Sequence, residues 1–140
     1  EKYRLFAATV ESMLLYAAET WTLTATQERI LNQKYSRLLR AALNIKWSDF
    51  VKNETINSVL NIETLSTRLK KRRLQFAGHC YSRDNEEVSK LITWNPSHGK
   101  RKRGRPNINF IDILQRDTEL QLSEIERLMS YRTLWKTFYA

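Results

Sequence analysis

Both prolines and two of the three glycines of this 140-residue chain lie between residues 84 and 107. Proline lacks the amide donor that a helix interior needs, and glycine costs backbone entropy there, so this stretch reads as the one long loop. On either side apolar residues recur at helical spacing, and no alternating strand pattern or hairpin dipeptide interrupts them. The expected fold is all-α, a helical bundle of about five to six helices with one long basic loop. With 41% of residues hydrophobic, the chain has enough apolar surface for a core.

From Leu5 to Ala18 the residues Leu5, Phe6, Val10, Met13, Leu14 and Ala17 predict one buried helical stripe, with Glu1, Arg4 and Glu11 in solvent. After the β-branched break TWTLT, Thr24 or Thr26 can cap a second helix bearing Ile30, Leu31, Tyr35, Leu38, Leu39, Ala42 and Leu43. Residues 1–44 are therefore expected to form a helical hairpin. Residues 45–83 predict a turn at IKWSD, a short helix from Asn53, and a longer basic helix capped by Thr64. Leu65, Leu69, Phe76 and Cys80 lie on one face of that helix and its cations largely elsewhere, a helix-turn-helix outline. Beyond the loop at 84–107, residues 108–140 predict a helical pair, Ile108 to Arg116 and Ser123 to Phe138, with Ser123 and Glu126 as a capping box. These segments are expected to pack as one compact domain. Helical pattern from the first residues, with no initiator methionine, reads as a segment of a longer protein.

The formal net charge is +9, and its distribution is uneven. Arg68 to Pro106 holds 12 Lys or Arg against three acids, while the rest of the chain is balanced at 12 of each sign. Charge so concentrated repels itself in the folded state, which points to a polyanionic partner, nucleic acid above all. Cys80 is the only cysteine and His79 and His98 the only histidines, too few for a disulfide or a structural zinc site; a reducing compartment is expected. No run of apolar residues is long enough to span a membrane. Asp49, Asp84, Asp112 and Asp117 stand singly rather than in the cluster that paired-metal chemistry needs, so this segment is expected to be non-catalytic, with no cofactor of its own.

The candidate nucleic-acid-binding residues fall in two groups. Arg68, Lys70, Lys71, Arg72 and Arg73 fan over more than half of a helix and have no acids beside them in sequence, with Arg83 following. Lys100, Arg101, Lys102, Arg103 and Arg105 crowd the loop GKRKRGRPN, whose Arg103, Gly104, Arg105 and Pro106 match the core of an AT-hook. Phosphate contact, minor-groove insertion and a nuclear address remain open readings of that loop. Trp94 can stack on a base or pack, whereas Trp21 and Trp47 are expected to pin their turns to the core. His79 and Cys80 read as interior residues.

LLYAAETWTLT (14 to 24), YSRLLRAALNIKWSDFVKNETI (35 to 56), RRLQFAGHCYSRD (72 to 84) and GKRKRGRPNINFIDIL (99 to 114) resemble, in order and spacing, the C-terminal part of non-LTR (LINE-type) retrotransposon reverse transcriptases. Ala17 stands where that family commonly has glycine, Phe76 where a tryptophan often precedes the Gly-His pair, and Asn107 where a basic residue frequently follows the proline. The resemblance implies a parent enzyme with an endonuclease and a Mg2+-dependent polymerase palm, whose aspartates would lie upstream of Glu1. Residues 1–44 would correspond to the thumb, and Arg72, Arg73, Gly78, His79 and Arg83 to family motif positions, with Gly104 and Pro106 in the basic loop.

The expected function is a non-catalytic segment that grips template-primer or target DNA through backbone phosphates. Its expected partners are RNA, DNA or their hybrid and the parent palm, in the nucleus with a cytoplasmic ribonucleoprotein phase. A protein-interaction module with a nuclear-import loop and a sequence-specific helix-turn-helix DNA reader are the alternatives; salt dependence separates the first of these, and the ratio of specific to non-specific affinity the second.

Overall fold

A computed structural model describes residues 1–83, 92, 104 and 108–140. The described residues are all-helical, with no strand among them, as the hydrophobic period predicts. The α-helical segments are α1 (Lys2–Phe6), α2 (Ser12–Leu14), α3 (Ala25–Leu43), α4 (Asn53–Leu60), α5 (Leu65–Tyr81), α6 (Phe110–Thr118), α7 (Leu122–Ser130) and α8 (Arg132–Tyr139). A π-helical turn, Ala7–Glu11, joins α1 to α2. Their contacts group into two compact units, Glu1–Ala18 with Thr24–Leu69, and Glu19–Leu23 with Lys70–Ala140. The division falls inside α5.

In the first unit Phe6, Leu15, Ala18, Tyr35, Leu39, Ile56, Leu65 and Leu69 are buried, with Phe6 edge-on to Tyr35 at 5.7 Å between ring centroids. The N-terminal stripe differs from the one expected. Leu5 and Met13 are exposed, and Glu11, expected in solvent, is buried. For Met13 the π-turn is the physical reason: one wide turn rotates the residues that follow it, so a 3.6-residue period drawn through it selects the wrong face. Ala17 then takes φ 54°, a left-handed conformation that favours glycine.

Helix α3 starts where the sequence places it. Thr24 Oγ1 accepts from the Gln27 backbone N–H at 3.2 Å and Gln27 Oε1 accepts from the Thr24 N–H at 2.8 Å, a reciprocal cap contributing about 1 kcal/mol. Asn44 and Asn61 end α3 and α4 in left-handed conformations, the role asparagine tolerates best after glycine.

In the second unit the core is Leu74, Ala77, Cys80, Ile92, Leu114, Ile125, Met129 and Trp135. The single C-terminal helix expected from Ser123 to Phe138 is two, because Tyr131 leaves helical geometry at φ −110°, ψ 92°. The cap is Gln121 with Glu124 rather than Ser123 with Glu126, the Glu124 carboxylate accepting the Gln121 N–H at 3.0 Å. The helix count accordingly exceeds the expected one. Apart from exposed Gly104, the basic loop lies outside the described residues, Lys100, Arg101, Lys102, Arg103, Arg105 and Pro106 included, as does Trp94.

Candidate nucleic-acid interface

The basic run of α5 divides into two populations. Arg68 and Arg73 do not face solvent as free cations. In the first unit Arg68 Nη1 pairs with Glu11 Oε1, its Nη2 donates to Tyr35 Oη at 2.7 Å, and Tyr35 Oη donates to Glu11 Oε2 at 2.9 Å. Burial foremost pushes the Tyr35 phenol well above its ordinary value, with the Glu11 carboxylate adding to the rise and the Arg68 guanidinium opposing it. The hydroxyl therefore stays protonated and remains a donor.

In the second unit Arg73 is 2% exposed, and its Nη1 lies 3.2 Å from Asp117 Oδ2. That pair is close but not aligned as a hydrogen bond, so it is held by charge attraction rather than by direction. Arg116 contributes a second cation, Nη2 to Asp117 Oδ1 at 3.2 Å, and its Nη1 donates to the Leu23 carbonyl at 3.0 Å. Arg68 and Arg73, which have no acids beside them in sequence, thus find them across the fold. Their partners lie 57 and 44 positions away in sequence, beyond the reach of a local reading. Arg73, being buried, cannot meet a phosphate at the surface, whereas Arg68 is only partly covered.

Asp49 and Asp112 have structural tasks as well. Asp49 Oδ2 accepts the Lys46 N–H and Asp112 Oδ2 the Asn109 N–H, each at 2.8 Å, both at helix starts. Among the described residues no group of three or more His, Cys, Asp or Glu comes together.

The surface population is Lys70, Arg72, His79 and Arg83, with Lys71 half-buried and its Nζ donating to the Ala140 carbonyl at 2.6 Å. His79, expected in the interior, is exposed, and its Nε2 lies 3.0 Å from Arg83 Nη2. Its neighbour Cys80 is buried as expected, which pushes its thiol up, with Arg83 opposing. A cleft of about 280 Å³ runs between α5 and α8, lined among others by Gln75, His79, Ser82, Arg132 and Lys136. Gln75 and His79 also border a second cleft of about 370 Å³ with Arg72 and Phe76, so the two openings share a wall. Glu19 is the acid at the second.

Trp135 shapes the floor of the first cleft. Its Nε1 donates to the Leu74 carbonyl at 2.9 Å, and the Cδ1–Nε1 edge of the indole occupies the place a side chain on residue 78 would take. The Gly-His pair of the sequence is thereby explained physically: glycine admits the ring and the next residue projects outward. Arg132 and Lys136 escaped the sequence reading. Their signal was present, two cations four apart on one helix, but isolated pairs of that kind are common.

Comparison with protein-family profiles, with curated proteins and with solved structures returned no match. Among the described residues no helix is long and apolar enough to cross a membrane.

Proposed function

We propose that this chain is a non-catalytic nucleic-acid-binding segment of a non-LTR retrotransposon reverse transcriptase, gripping template-primer or target DNA through backbone phosphates. The observation that carries the reading is the two-cleft surface of the second unit. There Arg72, His79, Arg132 and Lys136 line the two openings, with Lys70 exposed on α5 and Arg83 just beyond its end, while Arg73 is paired with Asp117 inside. Such a surface offers charge at several points, which suits contact with backbone phosphates.

Two further features support the family reading. Ala17, which stands where the resembled family commonly has glycine, occupies a glycine-favouring conformation. Gly78, in the Gly-His pair, has no room for a side chain. In this reading the polymerase palm and its Mg2+ belong to the parent protein, and the segment works in the nucleus after a cytoplasmic ribonucleoprotein phase.

The test is fluorescence anisotropy of the 140-residue chain with labelled RNA–DNA hybrid, single-stranded RNA, and AT-rich and GC-rich duplex DNA across salt concentrations. Each phosphate neutralised on duplex DNA adds about 0.9 to the negative slope of log affinity on log salt. A steep slope with little preference between the two duplexes is the expected result. A shallow slope or no binding at low salt overturns the proposal in favour of a protein-interaction role, and a large preference for one sequence does so in favour of a specific reader.

A further inference from the structure

The first unit carries an arrangement that the phosphate-gripping surface of the second does not use. Trp47 is 84% exposed and Phe50 79% exposed, their ring centroids 5.5 Å apart and their planes tilted by 50°. From sequence Trp47 is expected to pin its turn to the core; the structure places it outside. Leaving two large aromatic faces in water forgoes the burial that ordinarily fixes such residues.

The loop is nevertheless built to hold them there. Arg40 Nη1 donates to the Val51 carbonyl at 2.7 Å and to Asn53 Oδ1 at 3.3 Å, and its Nη2 reaches the Lys46 carbonyl at 3.5 Å, so one guanidinium ties both ends of the turn. Asp49 accepts the Lys46 N–H, closing the 3-10 turn Trp47–Asp49. Phe50 sits at φ 50°, a conformation that costs a bulky residue about 1–2 kcal/mol. A strained residue held by a buttressing arginine, with its ring aimed at solvent, fits a recognition element rather than a packing one.

Trp47 also stands between two clefts. One, of about 440 Å³, is lined by Arg40, Phe50, Val51 and Lys52; the other, of about 460 Å³, by Gln33, Ser36, Arg37, Arg40 and Ile45. Gln33 and Ser36 continue into a third, of about 330 Å³, beside Arg29. Arg29, Gln33 and Arg37 lie four apart on α3, so one helical row leads from a cation through an amide to a second cation about 12 Å along, and then to the aromatic pair. Glu28 and Glu54 border the ends of this groove, while Lys52 lines the cleft that both rings share.

We infer that Trp47 and Phe50 form a stacking platform for an unpaired nucleotide base, with the strand's phosphates led along α3 past Arg37 and Arg29. An aromatic face accepts any base, and the adjacent cations supply what a protein's apolar side chain would not need. The inference rests on the nucleic-acid reading above and adds to it a preference for single strands, located in the first unit.

The test uses the full chain and three labelled probes: a short oligodeoxythymidine, an abasic sugar-phosphate strand of equal length, and a duplex. The wild type binds the base-bearing strand more tightly than the abasic one. Trp47→Ala with Phe50→Ala abolishes that preference, a loss of about tenfold or more on the base-bearing strand, with abasic and duplex affinity and the salt slope unchanged. Trp47→Phe retains part of it. Because both rings are exposed, circular dichroism of the double variant is expected to match the wild type. Equal binding of the base-bearing strand by wild type and double variant overturns the platform alone and assigns the rings to a protein contact. Equal loss on all three probes overturns it as well. Failure of the wild type to bind even the duplex removes both this inference and the reading beneath it.

Discussion

A β-carbon on residue 78 would lie 2.3 Å from Cδ1 and Nε1 of Trp135. Real β-carbons do not approach so closely, and neither neighbour can yield: the indole is buried in the core and fixed by its bond to the Leu74 carbonyl. Gly78→Ala is therefore expected to destabilise the second unit by about 3 kcal/mol, read as a lowered urea midpoint. Trp135→Phe shortens the ring and gives up the N–H donor, itself a loss. In that background Gly78→Ala is expected to cost at least 1 kcal/mol less than in the wild type, the coupling a steric contact requires. Additive losses would show that the ring is not what excludes the side chain.

Breaking the Arg73–Asp117 pair from either side leaves a charge in the core. Arg73→Met alone and Asp117→Leu alone are each expected to cost about 3–5 kcal/mol, whereas the double variant recovers most of it, since an apolar pair of similar volume can replace a buried ion pair. Arg116 keeps Asp117 partly compensated, so Arg73→Met is expected to be the milder single change. Equilibrium denaturation of the three variants checks the order.

Tyr35 links the Glu11 carboxylate to Arg68 and gives the first unit a dependence on alkaline pH. Its phenol pKa in the folded chain is raised above the ordinary 10.0 by burial first. The folded state thus holds the proton more tightly than the unfolded chain. The stabilisation is complete below pH 10 and is lost as pH rises toward the higher folded value. Tyr35→Phe removes this component along with two hydrogen bonds, an expected loss of about 1–3 kcal/mol at neutral pH. The stability difference between wild type and Tyr35→Phe should be constant from pH 7 to about pH 10 and shrink above it. A difference that grows with pH would reverse the assignment.

The sequence showed those parts of the fold that depend on neighbours in the chain. A threonine cap at Thr24 or Thr26, the start of α4 near Asn53 and the all-helical class all rest on spacings of a few residues. What it hid depends on distant partners or on a single torsion. Glu11 looks like a solvent residue until Arg68 and Tyr35 are placed beside it, and Asp117 looks isolated until Arg73 arrives. Tyr131 interrupts a helix without glycine or proline, and Trp47 stands in water although its composition predicts packing. The site was partly legible for the same reason. Charge density singles out α5 as a candidate, but only packing distinguishes Arg73, which serves the core, from Arg72, which faces outward.

Ala17→Gly is expected to stabilise the first unit. Ala17 at φ 54° bears the steric penalty of a β-carbon in left-handed geometry, about 1–2 kcal/mol, and glycine removes it at the cost of a more flexible unfolded chain. The net gain should be about 1 kcal/mol, seen as a rise in urea midpoint with an unchanged slope. A loss would mean that contacts of the methyl group outweigh the torsion.

The division of the α5 cations gives a contrast that total charge cannot mimic. Arg132→Ala with Lys136→Ala removes two exposed cations from the cleft beside His79, and Arg73→Met removes one that is buried. If phosphates are held at the cleft, the first change flattens the log affinity against log salt line by about 1–2 and weakens all duplexes alike. Arg73→Met, for all its cost in stability, leaves the slope unchanged at temperatures where the chain is folded. Arg72→Ala, on the second cleft, should flatten it by about 1. Equal flattening by Arg73→Met would mean that the slope reports net charge rather than contact, and the clefts would then lose their claim to the phosphates.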